Sequence, residues 1–443
     1  MRLLALLLIL LPSSALAGNR DGLLFGNDAA LSAGAVVATG KDGGLLWYNP
    51  AALGTNDRRR FNVGGSAFVL RFLGRDEAFA TNIRPTEPPG RAPNVEFLSV
   101  PTTSTFMLQL RPGISLALGS FVQRSDRQNI DEVVQGPVDG AVDSASALLH
   151  VTGLHTSMVF GAGLGFEPSP AFRVGFSLFA VYDRFTTSGS FALSTQQGDE
   201  TGVLVLQDKQ SRSRIGLDSV VGLQLAPVAG LRIGLTTRTP RFAFLDFGRD
   251  TSVQAVGYGG DGGGLLDFAV DDSEPQRWGF RVTRMPVFTL GVGWEGNRWS
   301  IALEGDLTPP LLTTERGVRP RLTLWNVRLG GKLEVTERVE LGAGLFTDRT
   351  DEVAAETVMD ERLDWYGATF GVRLRNPVPL ADGARAESLL LISTFALRGA
   401  MGWGQVTVVD LEITSVDGFG IDLAPRDVVH AELSLHIGTA LHF

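Results

Sequence analysis

The sequence contains no cysteine, so disulfides and thiolate chemistry are excluded and stability must come from packing and hydrogen bonding. Histidine is scarce, with five in 443 residues. Neither H-E-x-x-H nor G-x-S-x-G occurs, which removes the common zinc-protease and serine-hydrolase patterns. After Leu11 no stretch approaches the ~18 consecutive apolar residues of a helical membrane span. No Pro/Ser-rich linker or break in composition divides the chain. Positive charge is in the minority, giving a net charge of −9. That balance argues against a nucleic-acid partner and against a basic membrane-surface mode.

What is present begins with an export signal. Met1-Arg2 is a charged start, Leu3 to Leu11 is an apolar run, and Ala15-Leu16-Ala17 is an A-x-A cleavage site. Nine or so apolar residues cannot cross a ~30 Å hydrocarbon layer as a helix. Residues 1–17 are therefore expected to be a cleaved signal peptide. Gly18 rather than Cys would follow the cut, which excludes a lipoprotein anchor there.

Glycine is abundant, with 54 residues, and apolar content is 44%. Both fit the strand pattern that fills the rest of the chain. Leu231, Ile233 and Leu235 alternate with Arg232, Gly234 and Thr236. Val339, Leu341, Ala343 and Leu345 alternate with Glu340, Gly342 and Gly344. Near the end, Ala431, Leu433, Leu435 and Ile437 alternate with Glu432, Ser434, His436 and Gly438. Such two-faced strands suit a closed barrel with lipid outside and a polar lumen, since open sheet edges do not survive in lipid. Short turns at 111–113, 168–170, 227–230, 295–298 and 336–338 alternate with long polar connections. The long ones are expected near 75–94, 125–148, 187–208, 249–276, 308–320, 348–361 and 405–426. Outer-membrane barrels pair short periplasmic turns with long external loops. The fold expected is an all-β transmembrane antiparallel barrel of about fourteen strands over residues 59–443. Trp294 and Trp299 beside a short turn, and Trp278, Trp365, Tyr366 and Trp403 beside long loops, are placed as two interfacial girdles.

Residues 18–58 behave differently, being rich in Gly, Ala and Asp, with helical patterning around Asn27 to Val37. They end in Trp47-Tyr48-Asn49-Pro50-Ala51. An exported chain with this motif ahead of such a barrel resembles the FadL-type long-chain fatty acid and hydrocarbon transporters. Arg238-Thr239-Pro240, the Pro286-initiated strand with Gly291, and the terminal Phe443 resemble features of the same family. The resemblance implies that residues 18–58 are a hatch inside the lumen, with Asn49, Pro50 and Ala51 as its motif. It also implies that Phe443 is read by the barrel-insertion machinery, and that a kinked strand opens a lateral gate, suggested here only by Gly119 and Ser120. "NPAAL" departs from the family's commoner "NPAGL", and Lys41-Asp42-Gly43-Gly44 departs from its usual approach to the motif. Asn49-Pro50 could equally just end the plug and start the wall, because Pro50 fixes its own φ and biases Asn49 toward extended geometry.

Charged residues on the lumen face are candidates for holding a cargo carboxylate. Arg328 and Lys332 lead, flanking Gly330 on one face, followed by Arg232 and Arg238. The alternative for each is an ion pair bracing plug and wall. The function expected is transport of hydrophobic small molecules, fatty acids or hydrocarbons. The alternative is an accessory or shuttle protein of an outer-membrane secretion system on the same fold. No catalytic residue, metal site or cofactor is expected. Partners would be hydrophobic or lipid cargo, outer-membrane lipids and lipopolysaccharide, and the insertion machinery, with the chain a monomer.

Overall fold

The structure is a computed structural model that describes residues 23–55, 60–74, 79–86, 94–259, 265–273, 276–310, 322–350, 361–378 and 389–442. Residues 1–17, expected to be a signal peptide, and Phe443 lie outside the described residues.

Two-faced alternation becomes a single antiparallel sheet. Strands β1 (Arg60–Gly74), β2 (Phe79–Thr81) and β3 (Asn94–Arg111) lead into four long strands. These are β4 (Ile114–Val138), β5 (Val142–Ser169), β6 (Phe172–Gln197) and β7 (Glu200–Leu225). A broken stretch follows: β8 (Leu231–Arg238), β9 (Arg241–Gly259), β10 (Leu265–Ser273), β11 (Gln276–Arg284) and β12 (Val287–Glu295). Short strands β13 (Trp299–Thr308), β14 (Leu324–Thr336) and β15 (Val339–Asp348) come next, then β16 (Glu361–Val378). The hairpin of β17 (Leu389–Ile413) and β18 (Phe419–His442) ends the wall.

Strand β1 pairs antiparallel with both β3 and β18, so the sheet closes on itself. The described strands number 18, but some are pieces of one crossing. β8 and β9 both lie along β7 and are split at Thr239-Pro240, where proline supplies no N–H to the ladder. β12 continues β10 and β11 along the same neighbour, broken before Val287 by Pro286. β2 is a three-residue parallel attachment to β17. By continuity, the described strands cross the wall fourteen times.

The two faces separate as chemistry requires. Leu118, Phe160, Phe176, Leu290, Leu303 and Phe370 are exposed on the outside, while Arg238, Glu304, Arg328, Arg373 and Glu432 are buried inside. Trp294 and Trp299 face outward beside the 296–298 turn, and Tyr366 and Trp403 face outward nearer the other rim. Trp365 breaks the girdle expectation. It turns inward, with its ring centroid 6.4 Å from that of buried His430. The side chain of Trp278 lies outside the described residues.

A second correction concerns the long connections. The stretches 125–148, 187–208, 249–276 and 405–426 are largely strand rather than loop. β4 to β7 run for 25 to 28 residues, whereas about 9–11 suffice to cross a bilayer. The surplus stands outside the lipid, where the outward face can be polar. Its polarity in Gln207, Lys209 and Ser211 is what made the sequence resemble loop. The inward face carries an apolar cluster, although Asp208 and Gln210 also turn inward on β7. Leu149, Phe191, Leu193, Leu204 and Leu206 meet Leu411 and Ile413 of the β17–β18 hairpin in one buried cluster. Asn82 ties that roof together, donating to the Ile413 carbonyl at 2.8 Å and accepting from the Ile413 N–H at 3.0 Å.

Residues 23–55 lie inside the ring. Between 23 and 54 only Lys41, Asp42 and Tyr48 are not buried. Helices α1 (Asn27–Leu31) and α2 (Leu45–Tyr48) and a 3-10 turn (Pro50–Thr55) are all the regular structure there. The helical pattern expected to reach Val37 stops at Leu31, because Ala33 and Gly34 adopt φ of 52° and 84°. Inward-facing glycines let this backbone approach the wall. A Cβ at Gly330 would sit 2.5 Å from Ser32, one at Gly342 2.6 Å from Leu31, and one at Gly222 would collide with the Asn49 amide oxygen. Gly222→Val should therefore leave a heat-modifiable barrel but make residues 23–55 protease-sensitive. Gly399→Ala, whose Cβ would meet nothing within 4 Å, should behave as wild type. Equal protease resistance in the two variants would mean that the inner segment does not depend on this contact.

Candidate functional site

The inner segment is held by polar contacts at three places. At its start, Asp28 accepts from Lys332 at 2.9 Å and from Arg373 at 2.7 Å. Arg373 also pairs with Glu340 at 3.3 Å, and Arg375 bridges Glu340 to Glu334. Asp28 and Asp42 brace the segment internally: the Asp28 N–H donates to Asp42 at 2.7 Å, and the Lys41 N–H donates to Asp28 at 2.6 Å. At its middle, the N–H groups of Val36 and Val37 donate to Glu304 Oε2 at 3.0 and 2.9 Å. Gln224 donates to the Ala38 carbonyl at 2.6 Å. At its end, the Asn49 amide donates to the Val37 carbonyl at 2.7 Å and accepts from the Ala51 N–H at 3.1 Å. Asn49 thus fastens two parts of the inner segment to each other across Pro50, and also reaches the Leu223 carbonyl of β7 at 3.4 Å.

On the long-strand side of this segment is a cavity of about 70 Å³, room for a few water molecules. Val37, Trp47 and Tyr48 contribute from the inner segment. The wall adds two ionic groups of opposite balance. On one side Arg238, Arg241 and Arg284 converge on one oxygen of Asp218, at 3.4, 3.3 and 3.6 Å. Arg241 also approaches Asp183 at 3.8 Å. Among the described residues, these three guanidiniums contact two carboxylates. The Arg238 guanidinium lies 3.8 Å over the Trp47 ring and donates to the Trp47 carbonyl at 2.7 Å, a stacking that only a planar cation provides. On the other side one guanidinium, Arg328, lies between two carboxylates. It contacts Glu304 at 2.9 Å and also pairs with Asp306.

The four cargo candidates therefore separate. Arg238 and Arg328 line the cavity. Lys332 is joined to Asp28, and Arg232 pairs with Glu295 at 3.3 Å, where Lys41 also binds at 2.9 Å. Those two brace the inner segment and its nearby rim. Arg241, Arg284 and Asp218 were not singled out from the sequence. Alternation gives their face, but only strand register brings them together.

Among the described strands, β3 and β4 part locally. β3 and β4 pair from Arg111↔Ile114 up to Thr103↔Phe121. Gly119 and Ser120 sit within that regular ladder, opposite Thr105 and Ser104. Beyond Phe121, β4 keeps its pairing to β5 while β3 continues along β1. The register of β4 on β5 shifts between Val122 and Arg124, a bulge at Gln123. Gln123 lines the cavity and accepts from Arg241 at 2.6 Å.

No family model and no curated protein matches the chain. Solved structures do match. A Pseudomonas aeruginosa FadL homologue aligns over 96% of this chain and 99% of its own, at 13% identity and a TM-score of 0.53. The P. putida toluene transporter TodX aligns over 95% and 99%, at 12% identity and 0.54. The CymD monoaromatic hydrocarbon channel aligns over 96% and 98%, at 11% identity and 0.50. The fold is thus the FadL-type barrel along nearly the whole chain.

Asp218 is fully buried beneath its three arginines. Asp218→Ala should leave guanidiniums without their counter-charge, costing about 3–5 kcal/mol. Thermal unfolding of the detergent-solubilised barrel should show this, while Arg232→Ala at the more open Glu295 pair should cost about 1 kcal/mol or less. Equal transitions for both variants would overturn this account.

Proposed function

We propose that this chain carries small hydrophobic molecules bearing an anionic group, such as fatty acids, across an outer membrane. The observation behind this reading is the cavity set directly against a segment packed inside a closed barrel, with Arg238 and Arg284 among its lining residues. The matching solved proteins are described as transporters and channels for toluene and other monoaromatic hydrocarbons. A carboxylate in the cavity would gain charge-assisted hydrogen bonds from Arg238 and Arg284, which a neutral hydrocarbon would not. Trp47 beneath Arg238 offers an apolar surface beside that charge.

In this reading residues 18–58 are the hatch, with Asn49, Pro50 and Ala51 as its fastening motif. Residues 1–17 direct export, and Phe443 serves assembly. Cargo stops in the cavity against Arg238, with Arg328 opposite. It then leaves sideways past Gln123 through the parting of β3 and β4, just beyond Gly119 and Ser120. Lateral release suits an apolar chain, because it passes from lumen to lipid without crossing the hatch.

Passage requires the hatch to move, because a cavity of about 70 Å³ is too small for an acyl chain. A covalent lock tests this directly. A Cβ built at Gly291 would lie 3.5 Å from Ala38 Cβ, within the range a disulfide spans. The absence of native cysteine makes the pair clean. Ala38→Cys with Gly291→Cys should abolish uptake of a labelled fatty acid when oxidised and restore it on reduction. Undiminished uptake through the oxidised protein would refute a moving hatch. A cysteine at Gly198 should also react with a membrane-impermeant maleimide on intact cells, and one at Asn297 only after permeabilisation. The reverse pattern would invert the barrel.

A further inference from the structure

The contacts around Glu304 carry an inference about how the hatch is held and released. Among the described residues, the Glu304 carboxylate accepts from donors of two kinds. One oxygen accepts both the Val36 and Val37 N–H groups, at 3.0 and 2.9 Å. The other accepts from Arg328 at 2.9 Å. Glu304 and Arg328 are direct cross-strand neighbours in the β13–β14 register, and both line the cavity. A group arriving there meets Arg328 at the site where Arg328 steadies the carboxylate that holds the hatch.

The hatch turn held in this way is strained. Ala33 has φ of 52°, a left-handed conformation that is unfavourable for an L-residue with a Cβ. Such a conformation persists only where its surroundings impose it. Gly34 follows at φ of 84°, and a Cβ there would sit 3.1 Å from Arg328 Cδ. Arg328 therefore packs against the strained turn while its guanidinium holds the carboxylate that grips the next two N–H groups.

We propose that Glu304 and Arg328 form an ionic latch on the hatch, and that an anionic cargo opens it by drawing Arg328 away from Glu304. Losing Arg328 weakens the compensation of the buried Glu304 carboxylate, and the strained Ala33–Gly34 turn is then free to relax. Asp306 keeps the latch closed at rest by holding the Arg328 guanidinium from its other side. Glu304 and Arg328 are positioning residues here: they gate passage and need not form the main binding contact at Arg238. The trigger rests on the proposed carriage of anionic cargo, whereas the latch itself does not.

The test uses the full-length barrel with one cysteine, Ala38→Cys, and follows its labelling rate by a small water-soluble maleimide. Decanoate and decanol serve as anionic and neutral probes, and binding of each is measured separately by calorimetry. In the otherwise wild-type protein decanoate should raise the rate and decanol should not. Glu304→Gln should raise the rate without any probe, by about tenfold, comparable to losing one charge-assisted hydrogen bond. It should also abolish the response to decanoate. Ala33→Gly, which removes the strain, should lower the basal rate. Heat-modifiability confirms a folded barrel in each case. A wild-type rate in Glu304→Gln would overturn the latch. Decanoate that binds without raising the rate, or decanol that raises it equally, would overturn the anionic trigger while leaving cargo carriage standing. Failure of decanoate to bind at all would refute anionic carriage and the trigger together, and the Glu304→Gln rate would still decide the latch.

Discussion

A sheet that closes on itself has no edge, but a ring of this size encloses more space than its own side chains fill. The rest of the structure answers that constraint. Inward positions at Gly175, Gly222, Gly234, Gly330, Gly342 and Gly438 carry no side chain, and at each the missing Cβ leaves room for the inner segment. The wall gives up side-chain packing there so that another stretch of backbone can fill the lumen. Glycine abundance is here the condition for a filled lumen rather than the mark of a loose chain.

Filling the lumen with backbone creates a second requirement. Little of the inner segment is regular helix, so many of its N–H and C=O groups need partners from elsewhere. Glu304, Gln224 and Asn49 supply them. Buried carboxylates in turn need cations, which explains Lys332 and Arg373 on Asp28 and Arg328 on Glu304. Each such pair contributes modestly to net stability after desolvation, but removing one partner is costly. The ionic lumen therefore fixes where the segment sits more than it adds to the stability of the wall. Outside the lipid the sealing principle changes: the extended hairpins close over the mouth with Phe191, Leu204, Leu411 and their neighbours.

Much of this was legible in the sequence for a physical reason. Side chains alternate across a strand, so the face of Arg232, Arg328 or Glu432 could be assigned without coordinates. The Asn49-Pro50 motif marked the end of the inner segment because proline limits what the backbone there can do. What the sequence could not reveal was register. Glu304 lies opposite Arg328, and Glu340 opposite Arg373, and no local pattern announces either pairing. Lys332 and Arg328 shared a face, yet one is taken up by Asp28 and the other lines the cavity. The extended hairpins were read as loops because strand outside lipid no longer needs an apolar outer face. Their apolar inner rows were the overlooked signal.

The distribution of fastenings along the inner segment carries a mechanical consequence. Its start is held by the paired cations on Asp28, and its end by the Asn49–Pro50 turn packed against Gly175 and Gly222. Both sites are close-packed; the first lies away from the cavity, and the second directly follows the Trp47 and Tyr48 that line it. Its middle is different. There a left-handed alanine, two N–H groups on one carboxylate and a bond to Gln224 hold a turn that faces the cavity through Val37. A segment pinned at both ends and strained between them deforms where strain and exposure to a ligand coincide. Movement of residues 33–38 would open space beneath the cavity while the ends stay seated, so the lumen could widen there without the inner segment leaving it.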